Sequence, residues 1–140
     1  MALYFDTSAL VKLVVAEPET TALRDAARVS TVEPVSSDLT RTELLRTVRR
    51  GAPDRLVSAR EVLEALTLVP VTTEVCEAAG RLEPRTLRAL DALHLASALG
   101  LGDDLEAVVT YDHRLADACR ANGVAVLGTD RSNGCSAQAA

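Results

Sequence analysis

The stretch Leu3-Tyr4-Phe5-Asp6-Thr7-Ser8 decides how this chain is read. Three apolar residues are closed by an acid and two hydroxyl residues, the pattern of a short buried strand running into a helix capped by Thr7 or Ser8. That helix, Ala9 to Val15, stops near Pro18. A second helix from about Glu19 to Arg28 leads to Thr31 through Ser36, a short strand that Pro34 pushes toward a sheet edge.

Further along, Asp38 caps a helix from Leu39 to Arg50, ended by Gly51 and Pro53, and Asp54 starts another that reaches Ala65. Leu68-Val69-Pro70-Val71 reads as a strand and Thr72 to Leu82 as a helix. Pro84 breaks that helix, and Thr86 starts the most apolar one, Leu87 to Leu99, stopped by Gly100 and Gly102. Asp103-Asp104 then falls in a loop. Ala107-Val108-Val109-Thr110 is a buried-strand pattern, His113 to Ala121 a helix, and Gly123 to Leu127 a last strand. Strands alternating with helices imply a parallel sheet covered on both faces, a three-layer α/β/α sandwich. One domain over residues 1–127 is expected, followed by a small polar tail, 128–140, expected to be disordered.

No apolar run reaches the roughly 20 residues of a membrane-spanning helix, and the start lacks the basic leading region of a secretory signal. A soluble, cytoplasmic protein is the expectation. Cys76, Cys119 and Cys135 form no C-x-x-C pair; Cys76 and Cys119 read as buried small hydrophobes and Cys135 as a tail residue. The net charge of −5 disfavours holding nucleic acid by charge alone, though not an enzyme that meets phosphates through metal ions. Arginines are many where lysine is single, at Lys12, so local basic patches can coexist with the acidic total.

Asp91 breaks the pattern of its helix, which is apolar around nearly its whole circumference and is therefore expected to be buried. A buried carboxylate needs a cation or several donors. From this helix alone an arginine partner and a metal ion account for it equally well. Asp6 and Asp112 each follow the carboxyl end of a buried strand, the edge where open parallel sheets bind ligands, although an Asp there also serves as a helix cap. Glu43 by itself reads as a solvated residue paired with Arg46 or Arg50. Beside the other three it completes a carboxylate set, and oxygen-rich sites of that kind suit Mg²⁺ or Mn²⁺.

Leu3 to Leu10, then Glu43, then Leu90-Asp91-Ala92-Leu93-His94-Leu95-Ala96, then Val109-Thr110-Tyr111-Asp112 with Arg114-Leu115, together resemble a PIN domain. More narrowly the chain resembles the VapC toxins of VapBC toxin–antitoxin pairs, over nearly its whole length to Leu127. The resemblance implies a Mg²⁺- or Mn²⁺-dependent endoribonuclease with Asp6, Glu43, Asp91 and Asp112 as the metal-holding, catalytic carboxylates, supported by Ser8 and Thr110. It implies in-line hydrolysis leaving a 5′-phosphate and a 3′-hydroxyl. It also implies a homodimer and a VapB-type antitoxin, seated in a groove between the helices near Val11 to Leu23 and Leu44 to Leu56.

His94 reads as a hydrogen-bonded structural residue and stays outside the expected site; His113 reads as exposed, and Arg114 as a solvated helix arginine that could meet a phosphate. Arg41, Arg46, Arg49 and Arg50 either track an RNA backbone or form an ordinary charged surface. With only Tyr4, Phe5 and Tyr111 aromatic, little material exists for stacking unpaired bases. Two other functions compete. A haloacid-dehalogenase-type phosphatase wants a second Asp where Ser8 stands and a later lysine that is missing, a lack that also counts against a receiver domain. A non-catalytic PIN-like interaction module leaves four filled acidic positions without a purpose.

Overall fold

Residues 1–15 and 31–128 are described by the computed structural model. The helix expected over Glu19 to Arg28, the stop at Pro18, Cys135 and the tail beyond Gly128 lie outside them.

Strand β1, Ala2–Phe5, runs into helix α1, Thr7–Val14. The cap is Asp6 rather than Thr7 or Ser8: its carboxylate accepts from the Ala9 N–H at 3.1 Å, while Ser8 turns its hydroxyl to donate to that same carboxylate. An ionised acceptor outcompetes a neutral hydroxyl for an orphan N–H. β2 is Glu33–Ser37 and α2 is Asp38–Gly51, with Ser37 in the cap position and Asp38 already inside the first turn. A 3-10 turn, Pro53–Arg55, leads to α3, Leu56–Glu64, then β3, Thr67–Val69, and α4, Thr73–Gly80, capped by Thr72. The chain continues through α5, Ala89–Leu99, a 3-10 turn at Gly102–Asp104, β4, Leu105–Val109, α6, His113–Ala121, and β5, Val126–Leu127.

All five strands are parallel, in the order β3-β2-β1-β4-β5. Parallel strands need crossovers, and crossovers put helices on both faces. Side chains alternate accordingly. Phe5 and Val109 pack with Leu10, Val14, Leu44 and Leu63 from α1, α2 and α3. Tyr4, Val35 and Val108 face the other way, against Leu95, Ala98, Leu115 and Cys119 from α5 and α6. Ala79 of α4 packs on Ala92 and Ala96 of α5. Cys119 is buried as expected, but Cys76 is exposed, because α4 covers only the outer side of α5.

Pro34 does not put its strand at an edge: β2 lies between β1 and β3. The first rung to β3 is Val35 with Thr67, one residue after Pro34. Because Glu33 donates to Met1 across β1, the alternation of a strand turns Pro34 toward the side where no rung has begun, and its missing N–H costs nothing. No helix among the described residues is long and apolar enough to cross a membrane.

Candidate active site

The two central strands end side by side. The Asp6 N–H donates to the Val109 carbonyl at 3.1 Å, and the Thr110 N–H donates to Leu127 at 3.0 Å, which sets Asp6 and Thr110 next to each other at the carboxyl edge of the sheet. Asp6 is buried, 4% exposed. Its carboxylate accepts from Ser8 Oγ at 2.7 Å, the Ala9 N–H at 3.1 Å and Thr110 Oγ1 at 2.8 Å. A carboxylate offers about four lone-pair positions, so three donors leave about one for a further partner. Burial raises the Asp6 pKa, and these three hydrogen bonds oppose that rise only in part.

Ser8 and Thr110 are themselves fixed. Ser8 Oγ accepts from the Tyr111 N–H at 2.9 Å, and Thr110 Oγ1 accepts from the Asp112 N–H at 3.0 Å. One lattice of hydroxyls thus ties the start of α1 to the loop after β4.

Asp112 acts as the N-cap of α6, accepting through Oδ1 from the N–H groups of Arg114 and Leu115 at 2.9 and 3.4 Å. Asp91 departs from expectation. It is partly rather than fully buried, because α5 begins at Ala89 instead of Leu87 and Asp91 falls in its first turn, beside a half-exposed Leu90. The Asp91 carboxylate makes no hydrogen bond or ion pair among the described residues; the arginine partner is reduced to Arg88, whose charge only weakly lowers the Asp91 pKa from a distance. Its pKa is raised, first by burial, then by the negative charge of Asp112 and, more weakly, of Asp6. Asp6, Asp91 and Asp112 therefore share one field.

Glu43 is not the solvated partner of Arg46 or Arg50. It accepts from Thr7 Oγ1 at 2.8 Å and lies 2.6 Å from His94 Nε2. His94 is buried, and its other nitrogen, Nδ1, stands 2.9 Å from the Tyr4 hydroxyl. Burial alone would raise the Glu43 pKa, but the hydrogen bond and field of His94, with Thr7, outweigh it and leave the carboxyl below its usual value. His94 also bears electrostatically on Asp6 and Asp91. It is the structural histidine expected from its apolar helix and, beyond that, a neighbour of the candidate site. The signal in the sequence was its position three residues after Asp91, on the same helix face.

As the side chains stand, no three His, Cys, Asp or Glu groups among the described residues converge tightly enough to hold a metal ion. The donor set nonetheless suits a hard cation: oxygens only, one acceptor position left on Asp6, and an unpartnered Asp91 repelled by its neighbours. Asp103 and Asp104 precede β4 and lie at the opposite edge of the sheet. His113 and Arg114 are exposed.

The PIN domain family model matches residues 3–121, and the chain belongs to the PIN domain family. Within that family, the curated relatives are VapC ribonucleases of Mycobacterium tuberculosis. VapC47 is 46% identical over 86% of this chain and 92% of its own length; VapC46 is 45% identical over 90% and 96%. Among solved structures, the M. tuberculosis toxin VapC20, described as cleaving the sarcin–ricin loop, is 17% identical with a TM-score of 0.70, covering 84% of this chain and 95% of its own. VapBC2 of Rickettsia felis, solved bound to a promoter DNA fragment, is 16% identical with a TM-score of 0.69, covering 93% and 100%. At those identities the two structures speak for the fold, the PIN-like three-layer sandwich with a central parallel sheet.

Proposed function

We propose that this chain is a Mg²⁺- or Mn²⁺-dependent endoribonuclease and the toxin of a toxin–antitoxin pair. The observation that carries the reading is Asp6, a buried carboxylate at the junction of two strand ends, held by Ser8, Thr110 and the Ala9 N–H, with the unpartnered Asp91 in the same field. Asp6, Asp91, Asp112 and Glu43 would hold the cation. When bound, such an ion lowers the pKa of a water nucleophile and neutralises charge developing on the phosphate. The chain's own work is to keep Asp6 oriented through Ser8 and Thr110, and Glu43 oriented through His94 and Thr7, so that little is reorganised when the substrate arrives.

The ribonuclease names of VapC47 and VapC46 support RNA as the substrate class. The phosphatase alternative loses ground because Ser8 donates to Asp6 where that chemistry wants an acid, and because Asp103 and Asp104 lie at the far edge. An antitoxin partner is supported by VapBC2 and by the solved toxin–antitoxin complex of Klebsiella pneumoniae, 20% identical with a TM-score of 0.65. Its seat would use the apolar residues of α1 and α2, Val11 and Leu45 among them, both only partly buried. The homodimer implied by the resemblance is part of the same proposal.

The test is cleavage of RNA by the purified chain with and without excess EDTA, the product ends read by end-labelling, and co-expression with the neighbouring small open reading frame. Cleavage restored by Mg²⁺ or Mn²⁺, 5′-phosphate ends and relief of growth arrest by the neighbour are expected. Full activity in EDTA would contradict the metal site. A neighbour that neither binds nor relieves arrest would contradict the toxin role.

A further inference from the structure

A groove of about 530 Å³ opens from Asp91 between the start of α5 and the outer side of α6. Pro84, Thr86, Arg88 and Asp91 line one side, and Arg114 and Asp117 the other. Its volume lies inside the roughly 300–1,000 Å³ typical of sites for small molecules, room for a nucleotide and too little for a duplex. Arg88 and Arg114 are exposed and make no ion pair among the described residues, whereas Asp117 is partly answered by Arg120 at 3.5 Å. Two guanidinium groups without an ion pair therefore flank a channel that ends on a carboxylate of the candidate active site, Arg88 acting on Asp91 only weakly through space. No aromatic residue is in its lining, so it is suited to reading a sugar–phosphate backbone rather than stacking a base.

We infer that this groove is a substrate subsite in which Arg88 and Arg114 bind the phosphate of a nucleotide flanking the scissile bond of single-stranded RNA. The inference rests on the ribonuclease reading and names where the strand leaves the catalytic carboxylates. Guanidinium groups suit this task because they pair with phosphate through two parallel N–H bonds. Recognition of this kind tolerates sequence, since every nucleotide carries the same phosphate.

The test is fluorescence anisotropy with a short single-stranded oligoribonucleotide of mixed sequence, in EDTA, over a series of salt concentrations. It compares wild type, Arg88→Ala, Arg114→Ala, the double variant, Arg88→Lys, and Arg60→Ala on the distant α3. Each phosphate neutralised in single-stranded RNA contributes about 0.7 to the slope of log affinity against log salt, so the double variant, which gives up the one phosphate the two arginines share, should lose about 0.7. Arg60→Ala should keep the wild-type slope, and Arg88→Lys should keep most of it because the charge remains. A double variant with wild-type affinity and slope would overturn the subsite. So would a double variant that still binds RNA normally but loses a co-expressed partner protein, which would make the groove a protein seat. Rapid loss of the probe to cleavage in EDTA would instead count against the metal-dependent reading, and the slopes, taken in the Asp6→Asn background, would still decide the subsite.

Discussion

His94 Nε2 lies 2.6 Å from Glu43 Oε1, joining residues 51 positions apart on α2 and α5, helices that cover opposite faces of the sheet. The Tyr4 hydroxyl meets the other nitrogen at 2.9 Å. With the phenol donating to Nδ1, the imidazole presents an N–H to Glu43, and one hydrogen-bonded chain runs from the middle of the sheet to the edge of the candidate site. Burial raises the Tyr4 pKa to about 12, which keeps that phenol a donor at any physiological pH.

The first prediction follows from this chain. Outer residues that orient ligands typically matter by about 10–100-fold, so His94→Ala should lower the RNA cleavage rate by that order while the protein stays folded. Tyr4→Phe, which leaves the imidazole in place, should do less. Circular dichroism and single-turnover rates check it; a His94→Ala protein cleaving at the wild-type rate would show that Glu43 does not need His94 to hold it.

The second concerns pH without metal. Asp91 and Asp6 have pKa values raised on folding, so the folded state binds more protons than the unfolded one between the ordinary carboxylate value, about 4, and the raised value. Stability from these groups is present at low pH and is lost as pH rises through the raised values. Glu43, whose pKa is lowered, works in the opposite sense and loses its contribution as pH falls. In EDTA, Asp91→Asn should therefore flatten the decline of Tm with rising pH across that window. Parallel curves for the two proteins would contradict the coupling of Asp91 to Asp112 and Asp6.

A third prediction concerns an unsatisfied group. Ser37 Oγ is buried at the very start of α2 and makes no hydrogen bond of good geometry among the described residues, although it bears on the Tyr4 hydroxyl closely enough to lower that group's pKa; the geometry makes it at most a weak partner. An unmade buried hydrogen bond costs about 1–3 kcal/mol, so Ser37→Ala should stabilise the protein by about 1 kcal/mol. Chemical denaturation measures it; a loss of stability would reveal an unseen partner for the hydroxyl.

Much of this was legible because the governing signals are local. The Leu3 to Ser8 stretch produced β1 and α1, and the apolar period of His113 to Ala121 matched α6 residue for residue. What was not legible depends on neighbours in space. Pro34 reads as an edge residue until the register shows that the ladder to β3 starts after it. Asp91 reads as fully buried until α5 is seen to start at Ala89, which places the acid in the opening turn. The partner of Glu43 could not be read at all, since nothing near it in sequence points to His94. For Asp6 the sequence offered helix cap and ligand-binding residue as competing readings; the structure shows the cap, buried and joined to a hydroxyl lattice that no neighbour in sequence announces.

A fourth prediction places the cation. Ions that bind only the folded state stabilise it by mass action, so Mg²⁺ or Mn²⁺ should raise Tm, and Asp91→Asn should shrink that increment. The same increment in wild type and variant would remove Asp91 from the ligand set.

The most direct test of the central claim is the rate of RNA cleavage as Mn²⁺ is titrated into metal-free wild type and into Asp6→Asn. Asp6→Asn keeps the size of the side chain and its capping oxygen but removes the charge. Saturable activation of the wild type and no cleavage by a folded Asp6→Asn protein at any Mn²⁺ concentration are predicted. Equal cleavage by both, or wild-type cleavage indifferent to Mn²⁺, would contradict the account.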